Sequence, residues 1–264
     1  MRIVRAIVRP PSATFASGLT TAGLGAPDLD LARRQHDAYR AALEAAGVDL
    51  VVLEPDDRYP DSTFVEDTAV VTARGVVVTR PGAPSRAGEV DEIAAVLARL
   101  GAPIVRLAPP GSVDGGDICE VDGRFLLGRS DRTDADGAAQ LSTHLAAWGF
   151  GAEEVSVPPE SLLHLKSGLS WLGDARIAVV AALAAHPALA GLERIVVPDD
   201  EAYAANCIRV NDVVIVPAGF PRTSGALRSA GLTAVEVDVS EFRKMDGGVS
   251  CLSIRLPALP VAAT

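Results

Sequence analysis

The order strand, strand, helix, strand recurs four times along this chain, and that repetition constrains the fold more than any single motif. In the first unit, 69–72 and 76–79 read as a hairpin turning at Arg74-Gly75. A helix over 89–100 follows, with Val90, Ile93, Leu97 and Leu100 on one face and Gly101 as its stop, and then a strand over 104–107. The second unit has strands at 118–121 and 125–128 around Asp122-Gly123, a strong hairpin signal. Its helix is expected to open on a capping box of Thr133 and Asp136 and to end at Trp148, before a strand at 155–157. The third unit places strands at 169–172 and 176–181, a short helix at 187–192 and a strand at 195–197. The fourth has strands at 208–210 and 213–216 around Asn211-Asp212, a helix at 223–230 and a strand at 234–237.

What remains lies at the two ends: a strand at 249–256, another at 3–8, a helix from an Asp28 cap to Ala46 with Gly47 behind it, and a strand at 49–53. Joined end to end these pieces make a fifth unit. Units of about 40–50 residues have the period of a propeller-like repeat. Pairing the termini would remove the exposed edges of an open sheet. The expected fold is therefore α/β, a five-bladed propeller of ββαβ modules forming one domain over 1–264. A stretch without periodicity, 12–26, stands outside this scheme.

With 264 residues the chain is long enough to bury a sizeable core, and 48% apolar with 22% charged residues is a globular composition. The net charge of −10 argues against nucleic acid or anionic lipid as a partner and suits a small cationic ligand. No apolar run reaches the length of a membrane span, and the N-terminal apolar run is too short for a signal peptide. The expectation is a cytoplasmic protein with reduced thiols and no membrane partner. The spacing of Cys119, Cys207 and Cys251 matches no zinc pattern, so no structural metal is expected.

Chemistry-bearing residues fall at matching places, just before the first strand of each unit. They are Glu66-Asp67, Asp114-Gly115-Gly116-Asp117, His164, Asn206-Cys207, and Asp246-Gly247-Gly248 leading to Cys251. If the units are pseudo-equivalent, these segments converge on one axial pocket, where paired glycines allow close backbone approach. Cys119 and Cys207 lie in apolar strand patterns and read as core cysteines. Cys251 also falls in a strand pattern, but its Gly-Gly entry and its register with His164 tip it toward a nucleophile. His36 and His144 lie within amphipathic helices and His186 precedes a proline, so packing or solvated roles suit all three. Such a set suits attack of a thiolate on a planar cationic carbon. Carboxylates would fix a guanidinium, and a histidine held by a carboxylate would protonate the leaving amine.

The segments STFVED (62–67), DGGD (114–117), GRSDRTDADG (128–137), HLKSGLS (164–170), EAYAANC (201–207), PAGFPRT (217–223) and KMDGGVSC (244–251) together resemble the dimethylarginine dimethylaminohydrolases, members of the guanidine-modifying (pentein) superfamily. The resemblance runs from Gly18 to Cys251. It implies hydrolysis of dimethyl- or monomethyl-L-arginine to citrulline and an amine, without metal or organic cofactor. Cys251 would be the nucleophile, forming an S-alkylthiouronium. His164 would be the acid and then the base, and Asp114 would orient it; some relatives carry Glu at that position. Asp67, Glu66 and Asp61 would hold the guanidinium side, Arg86 and Arg132 the α-carboxylate, and backbone at Leu19 and Met245 would complete the pocket under a 12–26 lid. A homodimer is compatible with this picture but not specified by it. The rival readings are an arginine deiminase-like hydrolase or an amidinotransferase of the same superfamily, usually longer chains, and a non-catalytic propeller, which would lack the Cys/His pair.

Overall fold

Short runs of valine, isoleucine and leucine build fifteen strands in this computed structural model, which describes residues 2–158 and 162–258. The expected domain bounds of 1–264 extend to residues outside that range. In chain order the elements begin with β1 (Ile3–Val8), α1 (Leu29–Ala45) and β2 (Asp49–Val52). Next come β3 (Ala69–Val71), β4 (Val76–Val78), α2 (Val90–Arg99) and β5 (Ile104–Arg106). The second group is β6 (Ile118–Val121), β7 (Arg124–Arg129), α3 (Ala135–Ala147) and β8 (Gly151–Ser156). The third is α4 (Leu165–Gly168), β9 (Leu169–Gly173), β10 (Arg176–Val180), α5 (Ala181–Ala184) and β11 (Glu193–Val197). The chain ends with β12 (Ile208–Val210), β13 (Val213–Pro217), α6 (Pro221–Ser229), β14 (Thr233–Val237), α7 (Ser240–Arg243) and β15 (Ile254–Pro257).

These strands form five three-stranded sheets: β3-β4-β5, β6-β7-β8, β9-β10-β11, β12-β13-β14 and β15-β1-β2. Each has an antiparallel pair followed by a parallel crossover, as between β6 and β7 and then β7 and β8. The fifth joins the two ends of the chain, with Ile7 opposite Ile254 in the antiparallel pair and opposite Val51 in the parallel one. In the Asp122-Gly123 turn both residues have positive φ, 51° and 77°, the backbone that a two-residue hairpin needs and that Asp-Gly tolerates.

Apolar clusters fill the wedges between neighbouring sheets. Ile7, Ile254 and Leu256 meet Val76, Val78 and the α2 face of Ile93 and Leu97. Val70 and Val77 meet Phe125, Leu127 and the α3 face of Leu141 and Leu145. Full burial of such a side chain contributes roughly 1.5–3 kcal/mol, so each sheet is held mainly by its neighbours. His36 belongs to this packing: it is fully buried beside Tyr39 and Phe242, and burial first, then Arg40, drops its pKa to about 3, leaving it neutral. No described helix is long and apolar enough to cross a membrane.

Several boundaries differ from the sequence expectation for local reasons. Helix α3 is capped by Asp134, whose carboxylate accepts from Gly137 N–H, while Thr133 donates instead to Asp117 Oδ2 at 2.7 Å. The third group has a turn of helix at Ala181–Ala184 and a 3₁₀ turn at Pro187–Leu189 in place of one helix over 187–192. The expected strand over 249–256 is split: Ser250–Leu252 form a 3₁₀ turn and β15 starts only at Ile254. Cys251 therefore sits on a turn and not in a strand.

Candidate active site

Every inner strand is entered through a short turn: Val65–Thr68 before β3, Gly115–Asp117 before β6, α4 before β9, Asp199–Ala205 before β12 and Ser250–Leu252 before β15. A helical turn aims successive side chains in different directions, so each entry delivers one or two polar groups inward while the strand behind it stays apolar. A cavity of about 150 Å³ lies at this end of the strands, bordered by Leu19, Asp61, Asp67, Arg86, Asp114, Arg132, His164, Met245 and Cys251. All the site residues expected from the sequence border it except Glu66. A larger cavity of about 530 Å³ is lined by β3, β6, β9, β12 and β15 and by the hairpin turns at Asp122, Asp174 and Asn211. The two cavities thus open toward opposite ends of the inner strands.

Glu66 corrects the sequence expectation. It neighbours Asp67 on one tight turn but faces the larger cavity, where Oε1 meets Lys166 Nζ and Arg255 Nη2, each at 2.7 Å, and Oε2 accepts from Ser250 Oγ at 2.7 Å. Its carboxylate is spoken for by two cations and does not reach a guanidinium held beside Asp67.

His164 stands at the N-terminal boundary of α4, buried, with Nε2 3.1 Å from Asp114 Oδ2. Asp114 Oδ1 accepts from Gly82 N–H at 2.8 Å, which fixes the carboxylate plane. Gly116 runs beneath the imidazole: a Cβ there would lie 2.8 Å from Nδ1 and 2.9 Å from Asp67 Oδ1, so only glycine fits. Asp67 accepts from Gly116 N–H at 2.9 Å and from Arg86 Nη1 at 2.6 Å. On the opposite turn, Gly248 N–H points at Cys251 Sγ, 3.3 Å away.

The two arginines differ sharply. Arg86 is buried, and its Nε and Nη2 donate to Glu89 at 3.1 and 2.8 Å while Nη2 also donates to Phe64 O at 2.9 Å. Of its five N–H groups only one, on Nη1, is left over. Arg132 is half-buried, and among the described residues its guanidinium has no hydrogen-bond or ion-pair partner. Asp61 faces the same space and accepts from Leu19 N–H at 3.0 Å, tying the 12–26 segment to the rim. Two further contacts hold that segment: Thr20 Oγ1 donates to Lys244 O at 2.8 Å, and Thr21 N–H donates to Asp246 Oδ2 at 2.5 Å.

Burial disfavours a charge on His164, but Asp67, the hydrogen bond it donates to Asp114, and Asp117 outweigh it and raise its pKa to about 9. Burial pushes the Cys251 thiol up to about 12, and the anions Glu66 and Asp67 add to that. The resting pair is therefore an imidazolium and a thiol, and entry of another cation favours ionisation of the thiol. Cys119 and Cys207 are buried among the inner strands and are pushed up by burial as well, to about 11 and about 12.

Asp67, Asp114 and His164 are the one cluster of three among the described residues with ligand atoms within 4.8 Å of one another. Their donor set already has internal partners: Arg86 and Gly116 on Asp67, Gly82 and His164 on Asp114. That is the pattern of a hydrogen-bonded charge cluster around a guanidinium rather than of converging free lone pairs.

Sequence reasoning missed Glu89, which reads as the first residue of an amphipathic helix but is buried against Arg86 and raised by burial to about 7. It also gave no role to Asn206 or Ser250, which lie directly behind the cysteine turn.

Five small sheets around a shared cavity, with a cysteine, a histidine and paired carboxylates at one end, define a mixed α/β enzyme. No family model matches the chain. It is 43% identical over 250 residues to the N(G),N(G)-dimethylarginine dimethylaminohydrolase of Pseudomonas aeruginosa, covering 94% of this chain and 98% of that one. It is 37% identical over 256 residues to the enzyme of the same name from Streptomyces coelicolor, covering 97% and 98%. The chain belongs to the dimethylarginine dimethylaminohydrolase family. Among solved structures, a mutant of the Pseudomonas enzyme complexed with citrulline superposes with a TM-score of 0.94, at 41% identity over 97% of this chain and all of that one. The N-terminal domain of the cyanobacterial arginine dihydrolase ArgZ has the same fold, with a TM-score of 0.84 at 20% identity over 98% of this chain and all of that one.

Proposed function

We propose that this enzyme hydrolyses Nω,Nω-dimethyl-L-arginine, and the monomethyl form, to L-citrulline and the corresponding amine. The observation that carries the reading is one 150 Å³ cavity that gathers the Cys251 thiol, the His164 imidazolium, the carboxylates of Asp61, Asp67 and Asp114, and the unpaired Arg132 guanidinium. Two solved relatives support it, the Pseudomonas enzyme as a complex with citrulline and a dimethylarginine dimethylaminohydrolase as an adduct with S-methyl-L-thiocitrulline. The sheets are arranged as a five-bladed propeller in a single domain of this cytoplasmic protein, with 12–26 as its lid, and the reaction needs no metal or organic cofactor.

The geometry supports the following course. Asp67 and Asp61 accept hydrogen bonds from the cationic end of the substrate, and Arg132 takes its α-carboxylate. The substrate's charge offsets the anions that hold the Cys251 proton, and the thiol gives up that proton to solvent as the cation settles. Sγ attacks the guanidinium carbon, with Gly248 N–H steadying the sulfur. The tetrahedral carbon collapses, its bond to the dimethylamino nitrogen breaks, and His164, already protonated, supplies the proton that makes dimethylamine a leaving group. The thiouronium left on Cys251 is then attacked by water, whose proton passes to the now neutral His164. The C–S bond breaks, and citrulline and the cysteine are released.

The test is to incubate the protein separately with dimethylarginine and arginine and identify the amine beside citrulline. Dimethylamine from the first with little turnover of the second supports the reading. Ammonia from arginine at a comparable rate would assign the chain to the arginine hydrolases instead.

A further inference from the structure

The nucleophile and the acid–base residue stand on turns from different sheets, so something must fix their separation. One side chain joins the two turns. Asn206, just before β12, is buried and uses its carbonyl oxygen and both amide N–H groups across this gap. Its Oδ1 accepts from Ser250 N–H at 2.9 Å, and its Nδ2 donates to Ser250 Oγ at 3.0 Å. The same Nδ2 donates to Lys166 O at 2.9 Å. Lys166 is two residues past His164, and Ser250 immediately precedes Cys251.

The contact is close as well as polar. A Cβ on Gly248 would lie 2.5 Å from the Asn206 side chain, so the glycine that donates to Cys251 Sγ packs directly on the amide. Ser250 Oγ is held from the other side, donating to Glu66 Oε2 at 2.7 Å, and Glu66 in turn pairs with Lys166 Nζ at 2.7 Å. Asn206 and Glu66 thus close a ring of contacts through both turns, and neither the Asn206 amide nor the Glu66 carboxylate borders the smaller cavity. Buried polar groups tied in this way hold one geometry, because each broken bond leaves an unsatisfied partner.

We propose that Asn206 is a positioning residue for the reaction: its amide clamps the His164 turn to the Cys251 turn and so sets the spacing of acid and nucleophile. This rests on the functional reading above, and it goes beyond it by assigning that spacing to a side chain outside the pocket. A displacement of about 1 Å between reacting groups costs on the order of a hundredfold in rate, so loss of the clamp should fall on the chemical steps and spare binding.

The experiment first establishes that the wild type releases dimethylamine and citrulline; if it does not, the functional reading fails and the positioning role that rests on it falls with it, whereas an active wild type puts the clamp alone at stake. Asn206→Ala and Ser250→Ala are then compared with wild type by kcat, KM and the number of competent sites. Sites are counted as Cys251 alkylated by iodoacetamide in the native protein, read by peptide mass. Asn206→Ala is expected to keep its count of reactive Cys251 and a KM within about threefold, while kcat per site falls on the order of a hundredfold. Ser250→Ala keeps its backbone bond to Asn206 and the link to Lys166, so its kcat per site should fall less than tenfold. Asn206→Asp, which keeps the acceptor but not the donors, should lie nearer to Ala than to wild type if the Lys166 link matters. A fall in the number of reactive sites with unchanged kcat per site would reduce Asn206 to a folding role. An Asn206→Ala kcat per site within threefold of wild type would overturn the proposal.

Discussion

Arg86 presents its Nε and Nη2 to the carboxylate of Glu89, at 3.1 and 2.8 Å, with both side chains buried. With Asp67 on Nη1, two carboxylates surround one guanidinium. Arg86 is thereby committed to its own scaffold, while Arg132 is uncommitted and free to meet an anion. Two arginines that look equivalent in the sequence should therefore fail in different ways.

Arg132→Ala should raise KM for dimethylarginine by roughly thirtyfold, about 2 kcal/mol for a charge pair that becomes desolvated under the lid. A decarboxylated analogue, such as methylated agmatine, should barely notice the change. Arg86→Ala should instead leave Asp67 and Glu89 buried and unpaired, costing roughly 3–5 kcal/mol of stability. Melting temperatures and kcat/KM for both substrates separate the cases. Equal losses for the two substrates in Arg132→Ala would show that it does not bind the carboxylate.

Cys251→Ser should lose essentially all turnover and stay folded, because a hydroxyl cannot ionise where even a thiol is pushed up to about 12. Cys119→Ser and Cys207→Ser, buried at the inner strands, should affect stability only. More than a few per cent activity in Cys251→Ser would remove the covalent route.

The pH profile tests the His164–Asp114 pair. His164 is raised above its ordinary value, so its proton is fully present below pH 6.5 and is lost as pH rises through about 9. The proton given to the leaving amine vanishes over the same range, and kcat should fall on the alkaline side near pH 9. Asp114→Asn takes away one anion and the charged hydrogen bond, so this limb should move toward lower pH. A limb that stays in place in Asp114→Asn would mean that another group supplies the proton.

Asp246 holds the proposed lid segment at Thr21, at a backbone cost. Its φ of 58° is left-handed, and its Oδ2 accepts from both N–H and Oγ1 of Thr21. Asp246→Gly should relieve strain, leaving stability unchanged or higher by about 1 kcal/mol, while freeing the lid. The signature is a higher KM with faster alkylation of Cys251 by iodoacetamide. An unchanged alkylation rate would dissociate this contact from lid closure.

Much of this was legible beforehand because the strands are short apolar runs punctuated by turn residues such as Asp122-Gly123, whose backbone preference is local. Helix α1 begins where Asp28 predicts, its carboxylate accepting from Leu31 N–H at 2.9 Å. What was not legible depends on direction within single turns. Glu66 and Asp67 are adjacent in sequence yet face different cavities, and no pattern of period two or 3.6 reports that. Cys251 looked like part of a strand because Val249, Leu252, Ile254 and Leu256 are apolar, but its turn is fixed by Asn206 from another sheet. Glu89 was hidden for the same reason, since its partner is an arginine and its burial is tertiary.

The pairing of β15 with β1 has a consequence for how this enzyme ages and fails. Four of the sheets are each woven from one continuous stretch of chain, whereas the fifth depends on two ends that are brought together only by the completed fold. Cys251 lies a few residues ahead of that last strand, so fraying at the seam displaces the nucleophile before the other four sheets have lost anything. Catalysis is thus the most fragile property of the molecule. In a titration with mild denaturant, activity should disappear at a lower concentration than the far-ultraviolet signal, and coincident midpoints would show that the seam is as firm as the rest.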